Sequence, residues 1–136
     1  MKKPITLILF FLVNIIIFSQ EKHCNNVLFV TYYKWNNQKS NFDEAFRGKS
    51  NLNFCMDSKH IELNDKKLTY VYLDKSIRKD NSKNGSTTYW LGHDKDGYQY
   101  TIVFFVLDIP DPAYRFVVGI TNMDKKEYST YHINPN

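Results

Sequence analysis

From Val27 onward, apolar and polar positions alternate with a period of two rather than 3.6, in short runs rich in Val, Ile, Thr, Tyr and Phe. Clusters of Asn, Asp, Gly and Lys divide the runs. The pattern predicts an all-β chain, with strands at Val27–Trp35, Asn51–Asp57, His60–Asn64, Leu68–Asp74, Ser86–His93, Tyr98–Leu107, Tyr114–Asn122 and Glu127–Ile133. Connections as short as DSK and NDKK make sequential neighbours antiparallel, so the expected topology is a meander of seven to eight strands. One segment breaks the pattern. In NFDEAFRG, Asn41 is suited to cap a helix, Asp43 and Glu44 to sit at its positive end and Gly48 to stop it, which predicts a short N-terminal helical turn.

So many short antiparallel strands in one small domain have to hide their edges, and a closed small barrel does this better than an open sheet. A two-sheet sandwich is the alternative. Along Tyr98–Leu107 the second half, IVFFVL, is apolar at every position, as expected of a central strand covered on both sides near one end. Gly119 inside AYRFVVGITN marks a bulge or a close backbone approach. The longest stretch without alternation is KSIRKDNSKNG, residues Lys75–Gly85. It is expected to be a loop carrying Lys75, Arg78, Lys79 and Lys83 against the single acid Asp80.

The amino end changes the picture of where the chain goes. Lys2 and Lys3 precede the apolar run Ile5–Phe18, and Ser19 supplies a small residue, the order of a secretory signal peptide. The run is shorter than the roughly 20 residues a membrane span needs, and charge follows it at once. Cleavage is expected between Ser19 and Gln20, leaving residues 20–136 as a single exported domain, periplasmic or extracellular. Lipid attachment fails on spacing, because Cys24 follows Glu21, Lys22 and His23 instead of the small and apolar residues such attachment needs. Export places Cys24 and Cys55, the two cysteines of the chain, where thiols are oxidised, so they are expected to form a disulfide.

Loss of Lys2 and Lys3 reduces the net charge from +4 to +2, too little to argue for nucleic acid without a basic stripe or a recognised module. No CxxC or HxxxH spacing suggests zinc, and no glycine-rich loop is present to cradle a phosphate, so neither metal nor cofactor is expected. In HDKDG, Asp94 and Asp96 precede a glycine in the manner of turn residues, and the calcium reading lacks the ligands that should follow. HIELND puts His60 and Glu62 on one strand face, which an exposed face explains without a ligand. There is no GxSxG elbow, and DIPDP, with Asp108 and Asp111 around Pro110 and Pro112, has the character of a stiff turn. The chain is not expected to be an enzyme. A hydrolase would need His60, His93 or an Asp pair gathered in one cleft.

Aromatic residues make up 16% of the chain and are the stronger lead. Tyr and Trp offer a flat apolar face with a polar tip, which suits protein interfaces, sugar rings and amphipathic ligands. Alternation sends Tyr89 and Trp90 to opposite faces, so some rings point outward or into a lumen. Ordinary β packing accounts for others. The mature chain resembles small exported β-rich proteins of unknown function of the Bacteroidota type, in FSQ at the signal end, in YYKWNNQK and in YWLGHDKDGYQYTIVFF. That resemblance carries no functional residue. The expected meander is also similar in architecture to lipocalin-like barrels and to small periplasmic lysozyme inhibitors, although a GxW near the first strand is absent and NGSTTY departs from SGxxY. The leading expectation is a non-catalytic exported domain that binds a protein or a glycan. Outward aromatics and the basic loop would make the contact: Tyr70, Tyr72, Tyr89, Trp90, Lys75, Arg78 and Lys79. A lipocalin-like carrier, with the same aromatics around a cavity holding a small amphipathic ligand, is the alternative.

Overall fold

The computed structural model describes residues 22–64, 69–107 and 116–133. The expected signal segment and the DIPDP turn lie outside the described residues. Nine strands follow one another: β1 (His23–Asn36), β2 (Asn41–Lys49), β3 (Asn53–Met56), β4 (His60–Leu63), β5 (Thr69–Ser82), β6 (Gly85–His93), β7 (Gln99–Leu107), β8 (Phe116–Asn122) and β9 (Glu127–Ile133). All pairings are antiparallel, in the order β2-β1-β3-β4-β5-β6-β7-β8-β9, and a further pairing of β1 with β9 closes the sheet. The result is an eight-stranded barrel with β2 as an extra strand on its wall, and not a sandwich.

Closure depends on the length of β1. One edge pairs with β9 from Val27 to Lys34, while the other pairs with β3 through His23–Asn26 and with β2 through Phe29–Asn36. Between β2 and β3 the backbone stays in contact, as Val27 N–H donates to Leu52 O and Ser50 N–H to Leu28 O. The inward residues fill the barrel. Val27, Ile61, Leu63, Val71, Ile102, Val118 and Ile133 are fully buried. Phe54 of β3 meets Phe116 of β8 at 6.1 Å between ring centroids, although these strands are not neighbours, so this contact crosses the interior. Phe104 stacks on the same Phe116 ring at 5.8 Å.

Two expectations are corrected here. Asn41–Gly48 is a strand and not a helical turn, because β1 offers it a ladder of backbone partners, which outweighs a few capping preferences. A bulge at Ala45 puts Phe46 beside Tyr32 on one face, where its ring stays exposed, and Phe42 beside Trp35 and Tyr128 on the other. The second correction concerns Lys75–Gly85, expected as a loop. Residues up to Ser82 continue β5 and pair with β6, and only Lys83 and Asn84 form the turn. This hairpin arm extends beyond β4, whose pairing with β5 ends at Tyr72, and its residues 74–82 are exposed.

The double cover expected over IVFFVL is also not found, since Val103 and Phe105 are only half-buried outside the buried Ile102 and Phe104. Gly119 is a close approach and not a bulge: its pairing is regular, and an added Cβ would lie 3.3 Å from the Tyr128 ring. Gly97 closes the β6–β7 turn at φ +85°, where glycine has no steric cost.

Cys24 and Cys55 face each other across β1 and β3 at disulfide-bonding distance, with Cα atoms 4.0 Å apart. Closing a loop of 31 residues stabilises the fold by about 3 to 4 kcal/mol on loop entropy alone. Replacing both cysteines by serine is expected to lower the unfolding free energy by about that amount, read from urea denaturation with an m-value that rises as the unfolded chain expands. A loss below about 1 kcal/mol would show that the link restrains little of the unfolded chain.

Candidate functional site

The register of β5 on β6 determines which side chains share a surface. Tyr72 lies opposite His93, Lys75 opposite Leu91, Arg78 opposite Tyr89 and Asp80 opposite Thr87, which takes every second residue of β6. Asp74 and Ile77 are the extra residues of two bulges, and each bulge shifts the phase of β5 by one residue. The outer face of β5 therefore reads Tyr70, Tyr72, Lys75, Arg78, Asp80. Trp90 and Lys79 fall on the opposite side, Trp90 opposite Ser76 and packed against the core, Lys79 opposite Thr88. Five residues expected to bind, Tyr70, Tyr72, Lys75, Arg78 and Tyr89, thus share one surface, and Trp90 and Lys79 are not part of it.

The rings on this surface are in contact. Tyr70 and Tyr72 are 5.1 Å apart, His60 is 5.1 Å from Tyr70 and 5.2 Å from Tyr72, and His93 stacks on Tyr72 at 5.1 Å. Further along the arm the Arg78 guanidinium lies 4.4 Å over the Tyr89 ring and pairs with Asp80. Each imidazole is held by a carboxylate, His60 Nδ1 at 2.8 Å from Asp57 and His93 Nδ1 at 2.8 Å from Asp74. Burial works to raise the Asp57 carboxyl, but hydrogen bonds from the His60 ring and from the backbone N–H groups of Lys59 and His60 outweigh it and hold it below the ordinary aspartate value. An ionised carboxylate only accepts, so Nδ1 of His60 carries a proton and donates it to Asp57. Burial, then the charges of Tyr72, Asp57 and Glu62, push the Tyr70 phenol up, which keeps it protonated as a donor.

Beside Tyr70 a concavity of about 200 Å³ is lined by Lys22, Met56, Asp57, His60, Glu62 and Tyr70, and the Lys22 ammonium binds Glu62 within it. A smaller pit of about 80 Å³ opens at the barrel mouth among Tyr100, Ile120, Asn122, Glu127, Ser129 and Tyr131. There the buried Asn122 amide lies beside the Tyr100 hydroxyl, which donates to Asp94 at 2.9 Å. The same Asp94 carboxylate accepts the N–H groups of Asp96 and Tyr98, which makes HDKDG a self-satisfied turn. Among the described residues, no group of three or more His, Cys, Asp and Glu is placed to hold a metal ion.

His60, His93, Asp57 and Asp74 were not among the expected binding residues. His60 and His93 stand out in HIELND and HDKDG, but their carboxylate partners depend on the Asp57–His60 turn and on the Asp74 bulge, neither of which alternation reveals. Both imidazoles flank Tyr72 on the outer wall, and His60 also lines the concavity beside Tyr70. Flat apolar rings bordered by fixed donors and acceptors suit the binding of an amphipathic surface.

Fold and site define the class as a closed eight-stranded antiparallel barrel with an aromatic outer face. No family model, curated protein or solved structure matches the chain.

Because the Asp57 carboxyl is held below 3.8 when folded, its contribution is complete above that value and is lost as pH falls through the lower folded one. Asp57→Asn is expected to lower stability at neutral pH by about 1 to 3 kcal/mol and to flatten the acid limb of stability against pH. The check is the urea midpoint from neutral to strongly acidic pH. Asp94, lowered in the same way by its donors, and Asp43, lowered by hydrogen bonds from Asn36 and Lys39, contribute to the acid limb as well. An unchanged acid limb in the variant would remove Asp57 from the account.

Proposed function

We propose that the protein is an exported, non-catalytic binding domain that engages a protein or a glycan through the outer face of β4, β5 and β6. The observation that carries this reading is the continuous row Tyr70, Tyr72, Lys75 and Arg78, re-phased by two bulges onto one surface and flanked by His60, His93 and Tyr89. A solvated strand has no need of four contacting rings, and rings at an outer surface are the residue types that anchor interfaces. The disulfide-distance pair Cys24 and Cys55 supports export. The carrier alternative places aromatics around a cavity. Phe54, Phe104 and Phe116 meet inside the barrel and Trp90 packs on the core, which favours the outer face.

The test compares the wild-type domain with the Tyr70→Ala/Tyr72→Ala variant on an array of bacterial and host glycans and in pull-downs from the envelope fraction of its host. Loss of two anchoring rings is expected to reduce retention at least tenfold, about 1.4 kcal/mol or more, with near-UV circular dichroism showing an intact fold. Equal retention by the variant would place the binding surface elsewhere.

A further inference from the structure

The concavity beside Tyr70 already holds a cation of the chain itself. Lys22 runs into it and binds Glu62, with Tyr70 and Met56 as apolar neighbours of the slot. Space remains beyond Lys22: about 200 Å³ is the share of six or seven waters at about 30 Å³ each, enough for a butylammonium group of five heavy atoms. Charge is also left over. Asp57 and Glu62 bring two carboxylates and Lys22 one ammonium, which engages Glu62, while the His60 Nδ1–H donates to Asp57.

We propose that this slot binds the side-chain ammonium of a lysine presented by a polypeptide partner, and that Lys22 occupies its carboxylate end in cis as an internal competitor. Tyr70 and Met56 hold the methylene stem, as apolar walls do for long cationic side chains. Glu62 takes the ammonium when Lys22 yields. The inference rests on the outer-face reading above and names the chemistry of its partner. Lysine is favoured over arginine because the occupant observed is a compact ammonium on a single carboxylate oxygen, Glu62 Oε2, not a planar fork engaging both oxygens.

The test is an NMR titration of the folded domain with Nα-acetyl-lysine amide, followed at the Met56 methyl and the Tyr70 ring. Saturable shifts at millimolar probe are expected in the wild type. Lys22→Ala is expected to bind several-fold tighter, and Glu62→Gln at least tenfold more weakly, both with wild-type peak dispersion. The Nε-acetylated probe, which lacks the charge, is expected to leave the signals in place. No saturable shift, equal affinity in Glu62→Gln, or equal response to the Nε-acetylated probe would overturn the slot. Glucosamine binding as tightly as the lysine probe would overturn the polypeptide assignment in favour of an amino sugar. A partner lost in Tyr70→Ala/Tyr72→Ala but retained by Glu62→Gln would keep the binding face and remove the lysine slot.

Discussion

The hydrogen bonds between β1 and β9 turn a meander into a wall without ends, and the rest of the molecule depends on them. Each contributes only about 1 kcal/mol net, yet the ladder runs from Val27 to Lys34 and removes the edges that β1 and β9 would otherwise expose. Closure also dictates the core. Once β1 and β9 are joined, Val30 and Tyr131 are paired on the inner side, and Ile133 lies beside Val27 and Phe116 with no route to water. The strands that remain open are β2 and the arm of β5, both outside the closed wall. Both carry bulges, and both carry charge of either sign, as exposed edges do when they are protected from pairing with other chains.

Bulges serve a second purpose on β5. In a regular strand, Tyr70 and Tyr72 would share a face with Asp74, Ser76 and Arg78, and Lys75 would turn away. The extra residues Asp74 and Ile77 move Lys75 to the tyrosine side and return Arg78 to it, over the ring of Tyr89. Gly92 permits this opposite the first bulge, since a Cβ there would lie 2.5 Å from the Tyr72 carbonyl oxygen. Asp74, released from the ladder, reaches His93. One irregularity therefore protects an edge, gathers the basic residues on the aromatic face and supplies an imidazole with its carboxylate.

The all-β class, the antiparallel order and the position of most strands were legible because half-buried strands write their two faces into alternate residues. Glu127–Ile133 was read to the residue, and Gly97 identified its turn. The failures share a cause. Phe42 and Phe46 are four apart, a helical spacing, and they lie on opposite faces of a strand only because Ala45 is bulged. Lys75–Ser82 shows no alternation because the arm is exposed along its length, so burial leaves no pattern there. Half of the candidate surface was visible as tyrosines and basic residues. The His–Asp pairs were not, because each depends on a turn or a register shift that joins residues local pattern does not relate.

The disulfide-distance pair bears on more than stability. Cys24, Cys55, Glu62 and Tyr70 are successive cross-strand partners on β1, β3, β4 and β5, so they form one row on the outer wall. Lys22 is two residues before the first of them. A covalent link at Cys24 holds the start of β1 against β3, and this places the Lys22 ammonium within reach of Glu62. The same row then continues into the rings of Tyr70 and Tyr72. The fastening of β1 and the shape of the slot are thus one arrangement: loosening β1 from β3 removes a wall of the slot and its internal cation together, and it opens the barrel wall where β1 meets β3.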